Sequence, residues 1–309
     1  MNQSKFSLAD LLTLLAALAF GFVCFLGTNF YMLSNTKQSI LLAVIIAVLL
    51  GGTALGAKLL KRTSHNFKTC FIWEIILLVL FTGLTAFFAY SPFPHYFVVS
   101  AQKAEIKTKL TSSIEQAENM FAEYQSYAEN RENLYKSKLK SVVAAKNISP
   151  GGYAAYGFQN NGISDNKQIE NKMFTVHADL FPSNFKDKKT TDSIWLADSK
   201  KTIDNWKPIG IVSVANDVEQ NSETWLNELI QLSSIREKGE QAQDFIYTLS
   251  FDDVKTNFTT LGKPTPLSIG LALVAYLLML LSWFVTKRST RFPGLKFLFG
   301  LGKSSENEL

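Results

Sequence analysis

Apolar and polar positions divide the chain into blocks. Three long apolar segments, Leu8–Tyr31, Ile40–Leu60 and Cys70–Tyr90, come first. A mainly polar stretch of about 175 residues follows, and a fourth apolar segment, Leu267–Thr286, lies near the end. A transmembrane helix takes roughly 20 residues at about 1.5 Å rise each, so each block predicts one crossing. The expected architecture is a mainly α membrane protein, with three N-terminal transmembrane helices, one C-terminal one, and a predominantly helical extracytoplasmic domain between spans three and four. The expected segments are an N-terminus 1–7, spans 8–31, 40–60, 70–90 and 267–286, a short outer loop 32–39, a basic loop 61–69, an outer domain 91–266 and a basic tail 287–309. Lys5 and Ala17-Leu18-Ala19 resemble the n-region and cleavage site of a signal peptide. The apolar run before that triplet is short and the run after it continues to Phe30, so an uncleaved first span is expected.

Within the polar block, Phe97–Lys146 contains no Pro or Gly. Ile106, Leu110, Ile114, Ala117, Phe121, Tyr124, Ala128, Tyr135, Leu139 and Val142 recur there at spacings of mostly three and four, interrupted by Arg131. That period predicts one long amphipathic helix, and its drift across heptad positions favours a bundle over a strict coiled coil. Shorter helices are predicted from Asp165, as N-cap, to the stop at Pro182, over Thr191–Trp206, from Pro208 onward through Ile211–Leu232, and behind a Ser250/Asp253 capping box. Ile209–Val214 and the alternation of Phe245, Tyr247, Leu249 and Phe251 leave short strands open. Pro92, Pro94, Pro264 and Pro266 mark the borders of the block and predict hinges.

Charge then orients the chain. The formal charge is +5, yet residues 91–266 carry 20 Lys/Arg against 22 Asp/Glu, whereas the remainder carries 11 against 4. The excess sits at Lys58, Lys61, Arg62, Lys68, Lys287, Arg288, Arg291 and Lys296, and Lys/Arg-rich short loops stay cytoplasmic. Both termini are therefore expected in the cytoplasm and 91–266 outside, in a periplasm or extracellular space. The two cysteines, Cys24 and Cys70, fall in spans, so the outer domain is expected to be held by its apolar core alone. That composition suits the inner membrane of a bacterial envelope. The sequons at Asn147 and Asn257 read as ordinary surface asparagines.

Candidate chemistry is sparse. Asn147–Asn166, rich in Gly and Asn, is expected to be irregular and to present Tyr153, Tyr156, Phe158, Asn160 and Asn161 as a partner-binding tip, against the plainer reading of a helix connector. Glu74 is the carboxylate read as lying inside a span, within reach of Lys68 or Arg62. Ala43, Ala47 and Gly51, with Gly52 and Gly56 on a neighbouring face, predict close helix packing in lipid. His65, His95 and His177 lack metal-ligand spacing, and no phosphate loop, nucleophile elbow or kinase set is present, so no metal, cofactor or catalytic residue is expected, nor a nucleic-acid partner. The segment 292–303 is expected to lie along the inner surface. The functional expectation is a non-enzymatic anchoring or scaffolding subunit that binds other envelope proteins, with homo-oligomerisation compatible. The alternatives are a sensory receptor that binds a small ligand in the outer domain, with Trp195, Trp206 and Trp225 as pocket candidates, and signals through a separate cytoplasmic partner, and a transporter or channel component using Glu74.

Overall fold

Each of the first three apolar blocks folds as an uninterrupted helix in the computed structural model, which describes residues 6–63 and 67–288. Helix α1 (Leu8–Tyr31) starts at a Ser7–Asp10 capping box, where each side chain accepts from the other residue's backbone N–H. Met32–Asn35 turns the chain, with Leu33 and Ser34 at positive φ, and Asn35 caps α2 (Thr36–Arg62). Helices α3 (Phe67–Tyr90) and α4 (Phe93–Ala101) follow, the latter with Pro94 in its first turn. Three stretches are long and apolar enough to cross a membrane: Leu8–Tyr31, Thr36–Arg62, and Lys68–Ala101 through α3 and α4.

The expected single helix over Phe97–Lys146 divides at Gln102, where α4 ends and α5 (Lys103–Ala144) begins. The two parts bury different faces. Phe93 stacks on Phe20 at 4.6 Å and Tyr96 on Phe30 at 6.2 Å, so α4 packs on α1. Helix α5 buries the predicted stripe from Ile106 to Leu139, and buries Arg131 with it. Pro150 at N1 turns part of the expected irregular loop into a short helix, α6 (Pro150–Ala155). Ser164, not Asp165, caps α7 (Asp165–Leu180); α8 (Phe185–Asn205) begins one and a half turns before Thr191, and α9 (Ile211–Ser234) begins after Gly210 at φ 109°, not at Pro208. Residues 235–251 have no regular structure, and no strand occurs among the described residues, of which 78% are helical.

After α10 (Asp252–Thr259) the last apolar block is broken. Helix α11 (Pro266–Met279) stops at Leu280 and α12 (Leu281–Val285) resumes, so the expected fourth span is two pieces. Two compact units result: Met1–Lys103 with Thr256–Leu309, and Ala104–Lys255. The first is apolar outside and partly polar inside. Leu15, Leu18, Val48, Val79, Leu267 and Leu273 are exposed, whereas Asp10, Thr13, Ser39, Lys58, Glu74 and Ser282 are buried. Water would penalise that arrangement and lipid favours it. The second unit has the opposite pattern around the core of α5, α8 and α9.

Candidate functional site

In the first unit the buried polar groups gather where the start of α1, the end of α2, the start of α3 and α12 meet. Asp10 Oδ1 accepts from Lys58 Nζ at 2.5 Å and from the Ser282 hydroxyl, while Asp10 Oδ2 accepts from the Ser7 N–H at 2.8 Å. Thr13 splints the break in the fourth apolar block: its Oγ1 donates to the Leu278 carbonyl at 3.4 Å and accepts from the Ser282 N–H at 3.3 Å. Backbone groups freed at a helix break in lipid need such partners. Beside this cluster, Glu74 Oε1 accepts from Arg288 at 2.7 Å and from the Trp283 indole at 2.9 Å, and Lys61 donates to the Trp283 carbonyl at 2.7 Å. The Arg288 and Trp283 partners of Glu74 come from the C-terminal segment, which distant elements of the chain bring beside α3. Asp10, unlike the expected lone Glu74, was missed as a buried carboxylate. Its signal was present: Ser7-x-x-Asp10 marks a helix start, and an antiparallel second span ends beside it at Lys58.

Small residues do close packing within the chain. A Cβ on Gly21 would lie 3.0 Å from the Ala43 carbonyl and 3.1 Å from Ala47 Cβ, and one on Gly51 would lie 3.5 Å from Ala17 Cβ. Ala43, Ala47 and Gly51 therefore line the α1–α2 contact. Gly56 faces Leu77, and Gly52 has nothing within 4 Å of its Cβ position. At the other end of α1, His95 Nε2 donates to the Phe258 carbonyl at 2.8 Å, and Thr28 Oγ1, Asn29 Oδ1 and His95 Nδ1 are buried without a protein partner. His65 and the tail segment 292–303 lie outside the described residues.

In the second unit the expected tip aromatics are mostly inside. Tyr153 and Phe158 are buried and stacked at 4.9 Å, Tyr156 is half-buried against Gly239, and Asn160 and Asn161 are exposed. Tyr153 Oη donates to Asp165 at 2.6 Å, and Lys146 pairs with the same carboxylate at 2.6 Å, which holds it below the usual range through those hydrogen bonds. The aromatics are buried because the turn at Gly157 folds Phe158 back onto α6. Below them, Arg131 uses all five of its N–H groups: Nε to Glu240 Oε1 at 2.5 Å, one terminal nitrogen to the Ser233 carbonyl at 2.6 Å and Tyr127 Oη at 3.4 Å, the other to the Ile235 carbonyl and to Glu240 Oε2 at 2.9 Å. Burial would raise the Glu240 pKa, but the Arg131 hydrogen bonds and charge outweigh it and hold the carboxyl low. This pair fastens the irregular segment 235–251 to α5. The interruption of the stripe at Arg131 was its only trace in the sequence.

Two of the clefts in this unit, among the described residues, border α8. One, of about 870 Å³, lies over α7 and α8 and is lined by Phe181, Phe185, Ile194 and Ala197, with His177, Lys186 and Lys189 as its ionisable groups. Phe174, two turns before Phe181 on the same face of α7, is 75% exposed. The other, of about 360 Å³, lies between α8 and α9 and includes Trp225. Trp195 meets Trp225 edge-on at 5.9 Å; Trp206 instead caps α8 in the left-handed conformation. His177 Nδ1 pairs with Glu132 at 2.8 Å, and no cluster of metal-ligating side chains occurs among the described residues.

Comparison of the chain with protein-family models, with curated proteins and with solved structures gives no match. The class defined by the fold is a mainly helical protein with three helices long and apolar enough to span a membrane.

Proposed function

We propose that the protein is a non-enzymatic integral membrane protein of a bacterial inner membrane that holds a helical unit outside the cytoplasm to bind a partner protein. The α11–α12 segment is the fourth span in this reading. It runs from Pro266 to Val285 and exposes Leu267, Ile269, Leu271, Leu273, Val274 and Leu277 as the other apolar helices do. Lys58, Lys61, Lys287 and Arg288 support a cytoplasmic side for its end and for both chain termini in this reading. Glu74, held by Arg288 and Trp283, acts here as a fastening and not as part of an ion pathway.

The observation that carries partner binding is the cleft over α7 and α8. Its floor is apolar, Phe174 extends the apolar face beside it, and every ionisable group lining it is basic. The occupant that fits is an amphipathic helix of another envelope protein, with its apolar side flanked by acidic residues. Tyr156, Asn160 and Asn161 provide a second, polar contact. The test is cross-linking of the tagged full-length protein in native membranes, read by mass spectrometry. Phe174→Asp with Ile194→Asp should remove a reproducible set of envelope proteins while leaving helicity and thermal stability unchanged. Recovery of the same set from the double variant would refute this surface.

A further inference from the structure

Phe245, Tyr247, Leu249 and Phe251 alternate along the chain as one face of a strand does, and the structure keeps that alternation without a sheet. Phe245 and Phe251 are buried and Tyr247 and Leu249 half-buried, while Ile246, Thr248 and Ser250 are exposed. The path along α5 demands an extended chain. Tyr127 Oη donates to the Gln243 carbonyl and Tyr247 Oη to that of Gln116. Tyr127 to Gln116 is about 16 Å of helix, and four extended residues cover about 13 Å, with the Tyr247 side chain reaching the rest. Apart from the Phe245 N–H, which donates to Ser233 Oγ at 2.8 Å, no main-chain group of residues 245–250 has a hydrogen-bond partner among the described residues. Charged residues and Pro, which discourage pairing at a strand edge, do not occur from Phe245 to Phe251.

We propose that residues 245–251 bind an extended, basic segment of a partner protein by strand addition, with main-chain hydrogen bonds holding the two chains together. This surface shares no residue with the cleft over α7 and α8, and its occupant is a strand and not a helix, so the inference goes beyond the helix-docking role. Unpaired N–H and C=O groups select the backbone of the ligand. A helix bonds its own main chain internally, whereas an extended chain offers donors and acceptors along one edge at the same two-residue interval. Charge selects its side chains. Between Gly239 and Val254 the chain carries Glu240, Asp244, Asp252 and Asp253 and no Lys or Arg. Glu240 is held by Arg131 and Asp244 meets Arg236, but Glu123 on α5 acts electrostatically on Tyr247 and has no ion pair among the described residues. A second copy of this segment would bring the same acids, and like charges on facing strands repel. A segment with Lys or Arg at its ends and β-branched residues between them fits both the main chain and the charge.

The experiment uses the full-length protein in detergent micelles and three capped peptides of matching length. The parent is Lys-Thr-Val-Thr-Val-Thr-Lys; the second has Glu at both ends; the third is the parent N-methylated at its three central residues, which removes the donors on both edges. Binding is read by fluorescence anisotropy, and amide hydrogen exchange is followed residue by residue over 246–250. The parent should bind saturably, on the order of tenfold more tightly than the acidic peptide, and the N-methylated peptide should not bind. At ten times its Kd the parent should slow exchange about tenfold. That protection should fall on alternate amides, 246, 248 and 250 or else 247 and 249, because successive N–H groups of a strand point to opposite edges. The inference is overturned if the parent fails to bind, if the N-methylated peptide binds as tightly, if protection falls evenly on 246–250, or if these amides already exchange slowly in the free protein. Equal binding of the acidic peptide would overturn the basic partner. Protection that grows with protein concentration alone would make the occupant a second copy and overturn the separate partner.

Discussion

Replacing Arg131 by methionine keeps most of the apolar stem in place and removes the guanidinium that joins α5 to residues 233–240. The Arg131 and Glu240 side chains are 4% and 2% exposed, so the variant leaves a carboxylate buried without its counter-charge. Breaking one side of such a pair costs about 3–5 kcal/mol. For a unit of the size of Ala104–Lys255, that corresponds to a fall of roughly 6–20 °C in Tm. Arg131→Met with Glu240→Leu should recover much of the loss, because no charge is then stranded and the Ser233 and Ile235 carbonyls still accept from Arg236. The double-mutant cycle should give a coupling of about 2–3 kcal/mol. The folded Glu240 carboxyl binds its proton more weakly than an ordinary glutamate, whose pKa is 4.5. The wild type therefore holds the pair's contribution above about pH 4.5 and loses it as pH falls through the lower folded value. In the Arg131→Met protein the stranded carboxyl protonates more readily, so the deficit against wild type should narrow on acidification. Thermal unfolding in micelles, followed by circular dichroism from pH 7 to pH 4, measures all of these quantities. A single-variant loss below about 1 kcal/mol, or a double variant no better than the single, would refute the assignment.

Two further substitutions test the packing directly. A Cβ on Gly27 would lie 2.2 Å from the Pro92 carbonyl oxygen, whereas one on Gly52 meets nothing within 4 Å. Gly27→Ala should sharply reduce the yield of folded protein by forcing α1 from α4, while Gly52→Ala should be neutral or stabilise by up to about 1 kcal/mol, both read from yield and Tm in micelles. Phe158→Ala should cost about 3 kcal/mol by emptying the site stacked on Tyr153, and should expose residues 150–163 to protease. Unchanged proteolysis there would mean that these aromatics are not held inside.

The sequence by itself determined what depends on neighbours along the chain. Length and apolarity place α1, α2 and α3, because one turn of helix per 3.6 residues and a bilayer of fixed thickness are local constraints. The three-and-four spacing from Ile106 to Leu139 identified the buried face of α5 for the same reason. Ser7 and Asp10 marked the start of α1, although their engagement with Lys58 and Ser282 was not legible. Only the tertiary structure decided where polar groups find partners. Arg131 meets Glu240 across 109 residues, and Thr13 reaches Ser282 across 269 to splint a helix break that an unbroken run of apolar residues conceals. The loop aromatics show the same limit from the other side. Glycine-rich composition says that a chain can turn, but whether Tyr153 and Phe158 face water or each other depends on the turn taken at Gly157 and on Asp165 waiting to accept the Tyr153 hydroxyl. Burying a polar group is tolerated only when its hydrogen bonds are met, and those partners are chosen by the fold and not by the local pattern.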